Sequence, residues 1–383
     1  MQVKQQGQQP QADASLLFFS GGSALRQLSR KLKTYTHSSV HLITPFDSGG
    51  SSATLREAFD MPSVGDLRNR LIALADETAL GNPEIYRLFS SRLDIATEAG
   101  MLREELSRLV AGTHPLIAEI PAPLRERARA HLERFSSSMP TDFDLRGASI
   151  GNLVLVGGYL ASGRDMDAVA SSFAQLIAVL GIVLPVADAS LHIEAELADG
   201  QRITGQHLIT SRRGGQRDPK IARLRLCETL QGGDPGRVEI SPRARRHIEE
   251  AAVICFPMGS FWTSLVANLL PSGVGRAIAG SGASKVYIPN LGEDPEQHGM
   301  TISDCIRALH HQVAQDLGAD IAVDEVVGSI LIDHRNGAYG DRLDLDEIAS
   351  LGVQVVDLDL VTKNSHSLLD ATLLSKALLA LAR

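Results

Sequence analysis

A mostly parallel α/β sheet flanked by helices, with a β-hairpin element and a helical insertion, is the fold this 383-residue sequence predicts. Three observations lead to it. Strand-like apolar runs alternate with helix-like ones along most of the chain. The runs Ala251-Ala252-Val253-Ile254-Cys255-Phe256 and Val326-Val327-Gly328-Ser329-Ile330-Leu331-Ile332 are apolar almost throughout, as in strands covered on both faces. Two early strands also run straight into glycine-rich loops. Leu16-Leu17-Phe18-Phe19 leads into Ser20-Gly21-Gly22-Ser23, and residues 40–46 lead into Asp47-Ser48-Gly49-Gly50-Ser51-Ser52.

The first 15 residues are polar and Gln-rich and lack the apolar run of a signal peptide. Residues 1–13 are therefore expected to be a disordered tail and 14–383 one α/β domain. Strands are predicted at 16–19, 40–46, 153–156, 252–256, 285–288, 327–332 and 353–357. A helix-like run covers 24–32, and a turn at Pro62 and Gly65 opens another, with Leu67, Leu71, Ile72 and Leu74 as its apolar positions. From about 76 to 145 the chain is charge-rich and largely helical, clearest over 103–110 and 124–135, and Pro115, Pro121 and Pro123 punctuate it. This is the predicted insertion, and its exposed face is either solvated or a surface for homo-oligomers. Residues 168–187 carry no formal charge and approach bilayer-spanning length, but Ser171, Ser172 and Gln175 interrupt them and Gly181 and Pro185 break them. They read as a buried helix entering a strand, so no membrane partner is expected. In 189–210, Leu191, Ile193, Ala195 and Leu197 alternate with polar residues and Asp199-Gly200 marks a turn, which predicts a hairpin with one wet face. Residues 211–219 read as a polar, basic loop.

Composition narrows the function. With 44% hydrophobic and 21% charged residues the chain is of ordinary globular type. A net charge of −8 argues against nucleic acid as a partner. Small anions stay open, because backbone amides and a metal bind them locally. The three cysteines are widely spaced and form no C-x-x-C pair, which fits a reducing cytoplasm and argues against a disulfide framework or structural zinc. Gly147-Ala148-Ser149-Ile150-Gly151 matches the G-x-S-x-G nucleophile pattern, but polar residues 141–146 stand where that elbow needs a strand. No G-x-x-x-x-G-K-[ST] loop occurs, and no residue stands out as a covalent nucleophile.

The glycine loops carry the positive signal. Gly21, Gly22 and Ser23 at a strand-to-helix turn, like Gly49, Gly50 and Ser51 at the next, let backbone N–H groups converge on a phosphate. The alternative for the first loop is a plain tight turn with Ser23 as N-cap. Asp47, at the end of the second strand, is the metal candidate for a Mg²⁺ bridging diphosphate oxygens, or else begins an Asx-turn. Asp66 is a second catalytic candidate or simply a helix N-cap. Arg68 suits bidentate phosphate contact, with Asn69 beside it. Gly259, Ser260, Thr263 and Ser264 follow the strand at 252–256, at the sheet edge where α/β ligands sit. Trp262 among them either stacks on a base or packs in the core. Asn152 and Asn290 are weaker candidates. This pattern is that of a nucleoside diphosphate site.

At Gly21-Gly22, Asp47-Ser48-Gly49-Gly50-Ser51-Ser52 and Gly65-Asp66-Leu67-Arg68-Asn69 the sequence resembles the 2-phospho-L-lactate transferase (CofD-like) family, which includes the gluconeogenesis-factor proteins. The resemblance continues at Gly151-Asn152-Leu153, at 183–186, at Gly259-Ser260-Phe261-Trp262-Thr263-Ser264 with Asn268-Leu269-Leu270, and at Lys285-Val286-Tyr287-Ile288-Pro289-Asn290. It implies a Rossmann-like fold that binds a nucleoside diphosphate conjugate. In the transferases a phospholactyl group passes, with Mg²⁺, from a guanosine diphosphate-linked donor to a deazaflavin acceptor. The gluconeogenesis factors instead bind nucleotide sugars and regulate metabolism and cell envelope. The chain departs from the family pattern at Ser48, where a second acidic residue is usual. It departs again at Ser23-Ala24, where Thr-Gly is preferred, and at Pro257-Met258, which replaces Gly-Pro. A metal at Asp47 thus has one carboxylate fewer. The expected function is a Mg²⁺-dependent transferase of a phosphorylated group to an unidentified acceptor, with a non-catalytic nucleotide-sugar-binding regulator as the alternative.

Overall fold

The computed structural model describes residues 15–78, 80–212, 218–365 and 368–382, so the tail predicted for 1–13 and most of the 211–219 loop lie outside the described residues. A seven-stranded sheet in the order β10-β9-β8-β7-β1-β2-β3, parallel at every pairing, forms the centre. Its strands are β1 (Leu16–Ser20), β2 (Ser39–Ile43), β3 (Ile182–Pro185), β7 (Val253–Phe256), β8 (Ser284–Tyr287), β9 (Ser329–Ile332) and β10 (Gln354–Asp357). β2 ends at Ile43 rather than running to 46, because Pro45 has no N–H to give the ladder. A small antiparallel sheet, β5-β4-β6, is built from β4 (His192–Leu197), β5 (Arg202–Thr204) and β6 (Ile221–Cys227). The first two strands are the predicted hairpin. The third hides behind the charges of Arg223 and Arg225, which pair across the strands with Glu196 (2.8 Å) and Glu194 (2.6 Å).

Helices α1 (Arg26–Leu32), α2 (Gly50–Phe59) and α3 (Gly65–Leu74) follow the first two strands. Then α4 (Pro83–Ser90), α5 (Ala99–Ala111), α6 (Pro115–Ala118) and α7 (Ala122–Ser138) occupy the predicted helical segment, and α8 (Ile150–Ala161) and α9 (Met166–Leu176) complete that layer. Short α10 (Gln206–Thr210) leaves the hairpin. Helices α11 (Pro242–Glu249), α12 (Val274–Gly280), α13 (Ile302–Leu317), α14 (Val323–Val326), α15 (Leu345–Ser350) and α16 (Ala371–Leu381) flank the second half of the sheet. Among the described residues no helix is long and apolar enough to cross a membrane, and 168–187 folds as α9 and β3.

One predicted strand is corrected. Residues 153–156 lie inside α8, whose residues 150–159 are all buried. A run apolar on every side carries no period, so strand and buried helix cannot be told apart from it. Gly157 and Gly158 let this helix pack directly on α7. The α7 backbone passes so close that a Cβ on Gly157 would sit 1.8 Å from the His131 carbonyl oxygen. Gly157→Ala is accordingly expected to destabilise the protein by about 3 kcal/mol or more, read from urea unfolding midpoints. An unchanged midpoint would mean that the two helices separate without cost.

The buried apolar residues form two clusters. One joins the faces of β1, β7, β8 and β9 to the small sheet and α12, α13 and α16. The other joins α3, α4, α5, α7, α8 and α9 and touches the main sheet at Ile43 and Val183. β1 sits between β2 and β7, and chain order runs outward in opposite directions from it. That reversal opens a crevice at the carboxyl ends of β1, β2 and β7, the usual ligand position in open α/β sheets.

Candidate functional site

The centre of the crevice is the Gly21-Gly22 turn. A Cβ on Gly21 would lie 2.4 Å from Ser264 Oγ, and one on Gly22 would lie 2.2 Å from an Asp66 carboxylate oxygen and 2.9 Å from Asn69 Nδ2. Only glycine allows the backbone to come this close to three polar side chains. The Gly22 N–H donates to the Asp66 carboxylate. Behind the turn, fully buried Arg70 donates to the Gly21 carbonyl (2.8 Å) and to Ser29 Oγ (2.5 Å). Asn268 donates to the carbonyls of Ser20 (3.2 Å) and Ser264 (2.7 Å). Arg70 is not singled out by the sequence, and Asn268 enters there only as part of a segment of the family resemblance. The available signal for Arg70 was an arginine on the apolar stripe of α3, next to Leu67, Leu71 and Leu74.

The second bank comes from the β2–α2 loop. Asp47 Oδ1 accepts the Gly49 N–H (2.9 Å), forming the Asx-turn, while Oδ2 lies 3.5 Å from the Ser63 hydroxyl. Asp66 stands close enough for the two carboxylates to repel. Burial first, and Asp47 second, push the Asp66 carboxyl up to about 7. It is not the helix cap, because α3 begins one residue earlier, after Val64. Ser48 Oγ shares a hydrogen bond with His207 Nδ1 (2.9 Å). The N-cap of α2 is Gly49, in extended conformation, and no side chain caps this end, so the first amides at Gly50 and Ser51 face the crevice end of the helix. Asn152, buried on α8, donates to Ser51 Oγ (3.3 Å), and its own carbonyl oxygen has no partner among the described residues.

Several predicted residues turn inward. Arg68 is buried with its pKa lowered to about 10 by burial, and it donates to Ser149 Oγ and to Asn69 Oδ1 (2.6 Å). Ser149, the serine of the G-x-S-x-G match, is thus an arginine partner at the start of α8. The Thr263 hydroxyl donates to Glu296 (2.6 Å). Asn290 exchanges two 2.8 Å bonds with the Gly259 backbone and fixes it at φ +140°. Trp262 packs in the core, edge-on to Phe261 at 5.3 Å, and walls a separate cavity of about 310 Å³ against α13. Ser23 and Ser260 border both a narrow gap of about 40 Å³ at the turn and an adjoining cavity of about 580 Å³. The larger cavity is lined by α1, α16 and the loop after β8, with Met258, Leu291 and Leu369 as apolar wall.

Among the described residues no group of three or more His, Cys, Asp or Glu is placed to hold a metal. The Asp47–Asp66 pair offers two carboxylates to a cation, beside amides that suit an anion.

Residues 16–361 match the family model described as 2-phospho-L-lactate transferase CofD. The chain belongs to the CofD family. Among CofD relatives, the gluconeogenesis factor of Bacillus subtilis is 28% identical over 360 residues, covering 93% of this chain and 92% of that protein. The gluconeogenesis factor of Halalkalibacterium halodurans is 30% identical over 310 residues, 81% of this chain and 77% of the relative. A Nostoc protein is 32% identical over 295 residues, 77% of this chain but about half (51%) of its own length. A crystal structure of a Bacillus halodurans protein of the UPF0052 family superposes with a TM-score of 0.69 at 26% identity, covering 96% of this chain and 99% of that one. The resemblance drawn from the sequence and the α/β architecture both stand.

Proposed function

We propose that this CofD-family chain binds a nucleoside diphosphate conjugate across the crevice, with the diphosphate on the Gly21-Gly22 turn, and transfers a phosphorylated group from it. The observation that carries the reading is the turn itself, where two glycines leave room for Asp66, Asn69 and Ser264 around one point of backbone. Amides and small polar groups at a switch point suit a diphosphate.

Asp47 and Asp66 fit a Mg²⁺. Burial, and after it the neighbouring Asp47 carboxylate, raise the Asp66 pKa, and a cation would remove the second of these contributions. With only two protein carboxylates, the remaining ligands would be water and phosphate oxygens, which is the usual habit of Mg²⁺. When bound, the ion would neutralise charge on the diphosphate. The chain's own residues orient the conjugate through the loop amides and keep the turn rigid through Arg70 and Asn268. Positioning of this kind is most of what phosphoryl-type transfer requires.

A second reading, binding without transfer as a nucleotide-sugar-dependent regulator, is favoured by Ser48. Its hydroxyl is held by His207 where another carboxylate would strengthen metal binding. Calorimetric titration with GDP, UDP and a UDP-sugar, each with and without Mg²⁺, tests both. Mg²⁺-dependent GDP binding, with release of a nucleoside monophosphate once an acceptor is supplied, supports transfer. Metal-indifferent preference for the UDP-sugar supports regulation, and binding of none overturns the diphosphate site. Asp47→Asn is expected to weaken Mg²⁺-dependent binding by about tenfold or more, the loss of one charged contact, with little change in melting temperature. Unaltered Mg²⁺ dependence would remove Asp47 from the metal site.

A further inference from the structure

Glu296 lies in the loop after β8 and is 3% exposed. One of its oxygens, Oε2, accepts the backbone N–H groups of Trp262 and Thr263, both at 2.8 Å. The other, Oε1, accepts the Thr263 hydroxyl (2.6 Å) and shares the Thr210 hydroxyl (3.3 Å) with the Gln206 carbonyl of the same short helix (2.9 Å). Its neighbour Asp294 accepts the Phe261 N–H at 3.0 Å. Two carboxylates therefore hold the opening N–H groups of the π-helical turn Phe261–Leu265, which no side chain of its own caps.

These bonds reach both banks of the crevice. Ser264, next to Thr263, is the residue packed against Gly21. Thr210 belongs to α10, and His207 on the same helix holds Ser48 beside Asp47. The route from the Asp47 loop to the Ser264 wall thus runs through hydrogen bonds at Ser48, His207 and Thr210, joined by one helical turn, and meets at Glu296. A carboxylate is the one side chain whose two oxygens accept all four of these donors, since a glutamine has a single acceptor oxygen. Among the described residues no cation pairs with Glu296, and burial together with Asp294 pushes its carboxyl up to about 7. An acidic side chain buried there among these donors marks a position where geometry matters more than stability.

We infer that Glu296 is a positioning residue that ties the Asp47 bank to the Ser264 bank and so sets the width of the crevice. The inference rests on the diphosphate reading only for what the width accommodates. The tie itself is a property of the unliganded chain.

The test uses the full chain as wild type, Glu296→Ala, Glu296→Gln and Thr210→Val. Two readouts are taken: GDP and UDP-sugar affinity with Mg²⁺, and amide hydrogen exchange without ligand. Glu296→Ala should weaken nucleotide binding by about tenfold to a hundredfold, the loss of its hydrogen bonds, with Glu296→Gln, which keeps one acceptor oxygen, restoring only part of it. Thr210→Val cuts only the α10 end. It should weaken binding by about threefold to tenfold while exchange over 261–265 stays as in wild type. Without ligand, Glu296→Ala should speed exchange over both 261–265 and 206–210. Wild-type affinity in Thr210→Val, or faster exchange confined to 261–265 in Glu296→Ala, would reduce Glu296 to a local cap and overturn the tie. If wild type binds none of the nucleotides, the diphosphate reading fails, and the exchange data alone decide the tie.

Discussion

Asp66→Asn is expected to make the folded chain more stable at pH 8 and to abolish its Mg²⁺-dependent nucleotide binding. The Asp66 carboxyl sits at about 7 in the folded chain, against an ordinary aspartate value when unfolded, so the native state holds this proton more tightly. The linkage sign follows. Asp66's contribution to stability is fully present below about pH 4, declines as pH rises, and is lost above about 7. The shift corresponds to as much as about 4 kcal/mol at pH 8. An asparagine escapes that cost while keeping the shape. Urea midpoints should therefore rise in the variant at pH 8 and converge with wild type near pH 4. In wild type, Mg²⁺ with nucleotide should raise the melting temperature at pH 8 and lose that effect at pH 5, where Asp66 is protonated and the metal must displace its proton. A variant no more stable than wild type at pH 8 would show that Arg70 already compensates the charge.

Gly22→Ala is expected to fold and to lose nucleotide binding by about a hundredfold or more, equivalent to ~2.7 kcal/mol. The new methyl would land 2.2 Å from an Asp66 oxygen and 2.9 Å from Asn69 Nδ2, so both side chains must leave the turn. Their displacement removes one carboxylate of the pair and widens the phosphate cradle together. Both neighbours are side chains, so the fold yields at modest cost, about 1–3 kcal/mol. Calorimetry beside a melting curve separates the two effects. Binding as tight as wild type would move the diphosphate away from this turn.

The strands and loops that frame the crevice were legible because their chemistry is local. Glycine pairs after apolar runs mark close backbone approach, and Asp47, Asp66, Asn69 and Ser264 do stand around them. Inward-turned residues were not legible, because nothing in sequence spacing tells an arginine that reaches a ligand from one that reaches Ser149. Arg68 looked like the phosphate ligand, yet Arg70, two positions on, is the one that holds the glycine turn from behind. Glu296 was invisible for a related reason. Its partners Thr210 and Thr263 are distant in sequence and meet only through the packing of α10 on the π-helical turn. The mistaken strand at 153–156 and the missed β6 are opposite failures of pattern. One run is too apolar to show a period, and the other hides its period under paired charges.

The crevice also falls between the two apolar clusters. Gly21 and Ser264 are anchored to elements of the first, while Asp66 and Asn69 ride on α3, which packs in the second. A ligand touching both sides would behave as mortar between two masonry blocks. Without it, chemical unfolding is expected to proceed in two overlapping stages, the all-helical layer loosening apart from the large sheet. With it, the stages should merge into one sharper transition, so that occupancy of the crevice is recorded in the cooperativity of the whole molecule as well as in its midpoint.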